Sequence, residues 1–228
     1  MEFGSSGEYN EQRNTQMKKQ PIILVGGGGH CISCIDVVEQ TAQYEIIGII
    51  DQPEKLGTKV LGYDVIGNDE DIVALVKTCP NFLITVGQIK TSDVRSSIYS
   101  KVKNAGGQLP VIVSPMAHVS RHSVIGEGSI IMHQAIVNAA AQIGCCSIIN
   151  TKSLIEHEAR VGEFCHISTG ACINGQVNIG SHSFVGSNAV VANNINISEH
   201  AVISAGSVVL QNIDKPGVYI GNPLKNIG

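Results

Sequence analysis

The sequence contains no tryptophan, and only four Phe and five Tyr stand among its 228 residues. A core without large rings must be filled by Ile, Val, Leu and Ala, which favours stacked β structure. The sequence also lacks any run of 18 apolar residues, so no membrane span is expected. Charged residues make up 15% of the chain and the net charge is −4. Nucleic-acid-binding proteins usually have an excess of basic residues, which this chain does not have, so no nucleic-acid partner is expected.

Cysteine occurs seven times, an odd number without the spacing of a disulfide framework. Cys31 and Cys34 form one C-x-x-C pair, but no second pair completes a zinc site. We therefore expect free, buried or half-buried thiols, no bound metal, and a protein that works in the reducing cytoplasm.

The first half of the chain alternates apolar β-branched runs with stretches of helical spacing. Such alternation predicts a small parallel sheet of the Rossmann-like α/β kind. The segments, in order, are a strand at 21–25, a helix from 31, a strand at 45–51, a helix at 69–78, a strand at 81–87, a helix at 91–105 and a strand at 109–113.

A glycine loop, GGGGH, separates the first strand from the first helix. Such a loop lets backbone N–H groups approach a phosphate at a helix N-terminus. Asp51 stands about 22 residues further on, where related folds place an acid for ribose or base contacts. The loop lacks full G-x-G-x-x-G spacing, so a turn that only permits tight packing remains an alternative. His30 directly follows the glycines and is a further polar candidate.

The second half carries a six-residue period. Sixteen consecutive positions at this spacing, from Val119 to Val209, are all Ile or Val. Four residues after each, the side chain is usually small, and Gly often follows the aliphatic residue. This is the hexapeptide signature of a parallel β-helix, in which stacked coils build a core of aliphatic ladders. We expect Gly and Asn, for example Asn138, Asn150 and Asn174, to tolerate the corner conformation.

The patterns together predict four segments. They are a disordered leader or tag at 1–17, a Rossmann-like domain at 18–114, a β-helix domain at 115–213 and a C-terminal segment at 214–228.

One charged triplet, Glu156-His157-Glu158, interrupts the hexapeptide pattern. Charged residues are common at β-helix turns, so a solvated corner is one interpretation. The other is a working site, because an imidazole beside a carboxylate can act as a general base near neutral pH.

The whole arrangement resembles the PglD/NeuD-type sugar acetyltransferases, which are left-handed β-helix enzymes of the hexapeptide-repeat acyltransferase family. The residues that carry the resemblance are VGGGGH, IID, TVG, INTKSLIEHEARVGEFCHIS and GVYIGNPLK. The resemblance implies a left-handed helix, a homotrimer and acetyl-CoA as cosubstrate. It also implies that the domain at 18–114 binds the nucleotide sugar and that the β-helix at 115–213 is the acetyltransferase domain. It implies N-acetylation of a nucleotide-linked amino sugar, such as a 4-amino-4,6-dideoxy hexose, for bacterial glycan biosynthesis.

Site residues carry over from the resemblance by position. His157 is the expected catalytic base, with Glu158 to orient its ring. The expected acetyl-CoA contacts are His166, Gly175, Ser187 and Ala205. The expected substrate contacts are Gly28, Gly29, His30, Asp51, Gly87 and Asn150. Some relatives have two consecutive acids where this chain has Asp51-Gln52, so the nucleobase stays open.

Three other functions remain as alternatives. One is O-acetylation of sialic acid or another sugar with the same donor. Another is a metal-dependent hydratase, since β-helix carbonic anhydrases hold zinc with three His at a subunit interface, and the candidates here are His133, His157, His166 and His182. The last is a non-catalytic nucleotide-sugar sensor or scaffold.

Overall fold

The computed structural model describes residues 19–222 and 224–226, and the leader or tag expected at 1–17 lies outside them. The fold class expected from the sequence is confirmed: a Rossmann-like parallel sheet precedes a left-handed parallel β-helix. Among the described residues, no helix is long and apolar enough to cross a membrane.

The first unit is a five-stranded sheet with three helices. Its strand order is β3-β4-β2-β1-β5; β1 pairs in parallel with β2 and β5, and β3 with β4 is an antiparallel hairpin. The elements are β1 (Gln20–Val25), α1 (Gly29–Thr41), β2 (Tyr44–Ile50), β3 (Lys59–Val60), β4 (Tyr63–Gly67), α2 (Ile72–Leu75), β5 (Asn81–Ile84) and α3 (Asp93–Asn104).

Two predictions for this unit were wrong. The helix expected at 69–78 is a 3₁₀ turn at Asp69–Asp71 followed by one turn of α-helix. The strand expected at 109–113 shortens to β6 (Ile112–Val113), which leaves the small sheet and pairs with the β-helix. Pro110 lacks the N–H that a strand of the small sheet would donate, so the chain can change partners there.

The β-helix is made of two-residue strands joined by four-residue corners, except at β21, which has three residues and a three-residue corner before it. Its strands are β7 (His118–Val119), β8 (Val124–Ile125), β9 (Ile130–Ile131), β10 (Ile136–Val137), β11 (Gln142–Ile143), β12 (Ile148–Ile149), β13 (Leu154–Ile155), β14 (Arg160–Val161), β15 (His166–Ile167), β16 (Cys172–Ile173), β17 (Asn178–Ile179), β18 (Phe184–Val185), β19 (Val190–Val191), β20 (Asn196–Ile197), β21 (Ala201–Ile203) and β22 (Val208–Val209). After them, β23 (Gly217–Gly221) pairs with β21, and β24 (Leu224–Asn226) closes on β23 antiparallel.

The aliphatic period is the core of this helix. Strands pair in parallel with a register of three hexapeptides, for example Val137 with Ile155, so one coil contains three strands and three corners. The Ile and Val of the period point inward, and all are buried except Val119 and Ile125 near its start. Each fully buried aliphatic side chain contributes about 1.5–3 kcal/mol, which makes the ladders the main source of stability.

The structure corrects the expectation that Gly and Asn take the left-handed conformation at the corners. Every sixth residue from Gly128 to Gly206 has a left-handed φ between 51° and 70°, and only three of these fourteen are glycine. Asn138, Asn150 and Asn174 stand two residues earlier and are not in that conformation. The glycines at that earlier position serve close approach instead: a Cβ on Gly144 would lie 2.6 Å from the Glu163 nitrogen of the next coil.

The three faces of the β-helix differ in what they present outward. The covered sheet (β6, β9, β12, β15, β18, β21, β23, β24) lies under the first unit, where Ile130 and Ile148 pack among residues of α1. The aliphatic sheet (β7, β10, β13, β16, β19, β22) and the polar sheet (β8, β11, β14, β17, β20) face outward in this chain.

Candidate functional site

A cavity of about 800 Å³ opens at the carboxyl ends of β1, β2 and β5. This edge of a parallel sheet is where open α/β folds bind ligands. All five first-unit residues named from the sequence line this one cavity: Gly28, Gly29, His30, Asp51 and Gly87. The structure therefore brings together residues that lie up to 59 positions apart.

The glycine loop is shaped for close approach. Gly26 has φ 105°, and a Cβ there would lie 2.4 Å from a methyl group of Val86. Gly28 and Gly29, by contrast, face open space. Helix α1 begins at Gly29 with no acidic residue in its first turn and no side-chain cap. Its N-terminal N–H groups and the helix dipole are thus available to an anion in the cavity.

Asp51 braces this loop. Its Oδ2 accepts a hydrogen bond from the Gly27 N–H at 2.7 Å and an ion pair from Lys55 at 2.8 Å, and its Oδ1 accepts from the Gln52 N–H at 2.7 Å. Partial burial would raise the pKa of Asp51, but the Lys55, Gln52 and Gly27 hydrogen bonds outweigh it and hold the pKa below its usual value. The carboxylate is therefore ionised at neutral pH, and its oxygens already have partners in the chain.

His30 and His166 meet where the first unit contacts the covered sheet. Their ring centroids are 6.1 Å apart, and His166 is buried whereas His30 is half-buried. Burial lowers the pKa of His30 to about 3 and that of His166 to about 4, so both rings are neutral. The buried Nε2 of His30 has no hydrogen-bond partner among the described residues.

The tautomer of His166 follows from its neighbours. Its Nδ1–H donates to the Gln88 carbonyl at 2.9 Å, so its Nε2 can accept from the Asn150 amide at 3.1 Å. Gln88 follows the cavity residue Gly87 and also donates from its side chain to the Phe164 carbonyl at 2.6 Å. The loop that closes the cavity is thus hydrogen-bonded directly to the β-helix.

His157 lies elsewhere, at a corner between the aliphatic and polar sheets. Its side chain is 56% exposed, and its Nδ1 is 3.4 Å from Glu158 Oε2. Glu158 stands at a left-handed corner position (φ 59°) and also accepts a 3.0 Å hydrogen bond from the Gln176 amide. The Gln176 and His157 hydrogen bonds lower the pKa of Glu158. The carboxylate therefore stays ionised beside the ring.

Gly175 makes room for this ring. It stands one coil after His157, and a Cβ there would lie 2.6 Å from His157 Cε1 and 2.7 Å from Nε2. On the other side of the corner, the His157 N–H donates to Glu156, which in turn accepts from Asn138 at 3.0 Å. Backbone and ring are therefore both fixed, and Nε2 is the ring nitrogen not directed at Glu158.

The remaining named residues occupy the corner between the covered and aliphatic sheets. Ser187 and Ala205 stack one coil apart there, and the Ser187 hydroxyl lies 2.9 Å from that of Ser168. Asn150 begins the same corner two coils earlier, beside His166. Within one chain, then, the named residues form three groups: the cavity, the His157 corner and this second corner.

Sequence reasoning missed three side chains that organise these groups: Gln176, Gln88 and Arg95. Gln176 follows Glu158 by one coil, so the coil length could have revealed it. Gln88 and Arg95 gave no such signal, because their partners lie on the β-helix, 51 to 78 residues away. Among residues 19–222 and 224–226, no group of three or more His, Cys, Asp or Glu could hold a metal ion.

Comparisons with known proteins agree with this architecture. Residues 21–102 match the PglD N-terminal domain. Over almost its full length, the chain is similar to the GDP-perosamine N-acetyltransferase PerB from Caulobacter crescentus, solved in complex with CoA and GDP-perosamine. The two are 27% identical with a TM-score of 0.85, covering 91% of this chain and 97% of PerB.

The acetyltransferase domain of PglB from Neisseria gonorrhoeae, solved with acetyl coenzyme A, is also 27% identical. Its TM-score is 0.86, with 92% of this chain and 100% of that domain covered. The first part of the chain therefore matches a PglD N-terminal domain, and the whole chain has the fold of these two sugar acetyltransferases. The same fold is also seen in WeeI from Acinetobacter baumannii, at 23% identity and a TM-score of 0.80 over 92% of this chain and all of WeeI. A search of curated proteins finds no match.

Proposed function

We propose that this protein transfers the acetyl group of acetyl-CoA to the amine of a nucleotide-linked amino sugar. The cavity at the glycine loop supplies a place for the nucleotide and its phosphates, since it combines a free helix N-terminus with open space at Gly28 and Gly29. Similar proteins were solved with CoA, acetyl-CoA and GDP-perosamine, which supports both the donor and the acceptor class.

The observation that carries the proposal is the His157–Glu158 pair. With Nδ1–H directed at Glu158, the lone pair of the ring lies on Nε2, which can accept a proton. The ionised Glu158 stabilises the imidazolium that forms, as the carboxylate of a Ser-His-Asp triad does. Gln176 holds Glu158 in place, so the pair is oriented before any ligand binds.

The chemical step balances with this one base. The sugar nitrogen attacks the thioester carbon, a C–N bond forms, and the carbonyl oxygen takes the displaced electron pair. Nε2 of His157 accepts a proton from the nitrogen. Collapse of the intermediate breaks the C–S bond, and the CoA thiolate leaves and recovers the proton from His157. The oxyanion needs backbone donors, and the Gly175 N–H, which has no partner in the described chain, adjoins the ring.

A homotrimer would bring the separate groups together. On the aliphatic sheet the outward positions from β10 onward are Ile136, Leu154, Cys172, Val190 and Val208, and Ile136 and Val190 are more than a third exposed in one chain. From β11 onward the polar sheet presents Gln142, Arg160, Asn178 and Asn196 instead. An aliphatic stripe beside the His157 corner fits a face covered by a second copy.

Sedimentation at micromolar concentration tests this assembly. A trimer supports a site shared between protomers. A monomer that retains acetyl transfer contradicts it, because His157 would then act without the second corner. The seven cysteines are all free, which supports a protein that works in the reducing cytoplasm.

The reaction itself is tested by a free-thiol assay of CoA release. Acceptors are UDP-, dTDP- and GDP-linked 4-amino sugars together with free sialic acid. Rapid release with one nucleotide amino sugar supports the proposal and identifies the substrate. Release only with sialic acid would move the protein to O-acetylation, and no release with any acceptor would favour a non-catalytic sensor.

A further inference from the structure

Arg95, in the first turn of α3, is a buried cation between the first unit and the β-helix. Its side chain is only 1% exposed. One Nη donates to the Val86 carbonyl at 2.6 Å and the other donates to the Cys146 carbonyl of the β-helix. Its Nε is buried and has no partner among the described residues.

No carboxylate of the described chain pairs with this guanidinium. Burial lowers the pKa of Arg95, but a guanidinium group keeps its proton at neutral pH. A buried charge that lacks a counter-charge is costly to fold. A protein that retains one without a partner of its own therefore points to a counter-charge from outside the chain.

The cavity is the place where such a counter-charge can lie. Val86 and Gly87 line it directly beside the Arg95 contact, and Val94 and Ile98 of α3 line it as well. The charged residues that line the cavity are two lysines and three acids, and Lys55 and Lys101 are already paired with Asp51 and Asp69. The cavity lining by itself therefore offers an anion no free positive charge.

The histidines do not supply that charge either. His30 lines the cavity at the glycine loop, but burial, His166 and Arg95 together lower its pKa to about 3. The glycine end of the cavity thus has a neutral imidazole, a helix N-terminus and, behind the Val86–Gly87 loop, one guanidinium.

We propose that Arg95 is a positioning residue for the diphosphate of the nucleotide sugar. Its guanidinium is a fixed counter-charge to the diphosphate, and its hydrogen bonds hold the Val86–Gly87 loop against the β-helix. This inference rests on the proposed nucleotide-sugar substrate. Because the guanidinium is buried, its attraction for the diphosphate is screened little by salt.

A charge-graded ligand series tests the proposal by isothermal titration calorimetry without acetyl-CoA. The probes are UDP, dTDP or GDP, whichever binds the wild type best, with the matching monophosphate and nucleoside. In Arg95→Gln, which removes the charge and keeps an amide donor, we expect the diphosphate to bind at least tenfold more weakly. The monophosphate should lose less and the nucleoside less than twofold.

Two further variants separate charge from packing. Arg95→Lys keeps a cation but not the two-carbonyl bridge, and should retain the preference for diphosphate over nucleoside. Lys103→Gln removes a half-exposed cation of the same helix that does not line the cavity, and should change diphosphate affinity less than threefold. Equal weakening of all three probes in Arg95→Gln, or equal loss of preference in the Gln and Lys variants, would overturn the charge role.

A wild-type measurement covers the case in which Arg95→Gln does not fold. Between 0.05 and 0.5 M salt, the ratio of diphosphate to nucleoside affinity should change less than about threefold if a buried cation sets it. A steep fall with salt would assign the preference to exposed lysines and overturn the proposal. Wild-type protein that binds no nucleotide would reject the proposed substrate itself, whereas normal binding with an unaffected Arg95→Gln variant rejects only this inference.

Discussion

The cavity at the glycine loop and the corner at His157 are opposite kinds of site. The lysines of the cavity are paired within the chain, and its loop is held by Asp51 and hydrogen-bonded to the β-helix through Gln88 and Arg95. The His157 ring instead stands 56% exposed at an edge, with a carboxylate to orient it and a glycine to make room. A binding site can be complete in one chain, whereas an exposed base needs a second surface to exclude water.

Removal of the His157 ring should have the largest effect on catalysis and none on nucleotide binding. His157→Ala should lower kcat by about 10²–10⁴-fold, the usual contribution of a general base. Nucleotide affinity should not change, because the cavity lies in a different part of the chain. CoA release and calorimetry measure the two quantities separately. His122→Ala, an exposed histidine at the same corner of the β-helix two coils earlier, is the matched control, and unchanged turnover in His157→Ala would remove His157 from the mechanism.

A smaller change displaces the ring without deleting it. Gly175→Ala places a methyl group within 2.7 Å of the present Nε2 position, so the imidazole must move. We expect kcat to fall on the order of 10²-fold, the cost of misplacing a catalytic group by about 1 Å. KM for the nucleotide sugar and the melting temperature should change little, since the methyl group meets only the ends of two exposed side chains, those of His157 and Asn193. A drop in melting temperature with normal kcat would contradict the role given to this glycine.

Asp51→Asn should weaken the contacts that hold the glycine loop of the cavity. An amide oxygen replaces a carboxylate that serves the Gly27 N–H and Lys55, so we expect about 1 kcal/mol less stability and several-fold weaker nucleotide binding. The folded-state pKa of Asp51 is lowered. Its contribution is therefore full above the unfolded pKa of 3.8 and is lost as pH falls through the lower folded value.

Urea denaturation at pH 7 and at pH 3 measures this effect. The gap between wild type and Asp51→Asn should narrow at the lower pH. Asp64→Asn, which breaks the exposed pair with Lys59, is the control and should leave nucleotide binding intact. A gap that widens in acid would show that the carboxylate is not stabilised by these hydrogen bonds.

The smallest effect is expected where the first unit and the β-helix touch at the surface. His133 lies 2.6 Å from the Ser114 hydroxyl and 2.8 Å from Asp36 of α1, and the Asp36 side chain is 55% exposed. Asp36→Asn should therefore lower the free energy of unfolding by only about 0.2–1 kcal/mol, as for other exposed pairs. Thermal denaturation measures the shift, and a loss of several kcal/mol would mean that this contact holds the units together.

Sequence alone determined the parts of this protein that follow from local or repeated patterns. A side chain at every sixth position must be apolar if each coil is to bury it, so the aliphatic period predicted the β-helix and its inward faces. Glycines between a strand and a helix, and a Glu-His-Glu triplet at a corner, likewise marked the cavity and the candidate base before any contact was known.

Tertiary structure decided the contacts between residues far apart in the chain. Docking of the first unit took Ile112–Val113 into the β-helix, enclosed His30 against His166, and set Arg95 between Val86 and Cys146. It also separated His157 from Ser187 and Ala205, which sit at another corner. Hydrophobic periodicity predicts which side of an element is buried. It does not predict which other element covers that side, so only the folded chain shows which buried groups are in contact.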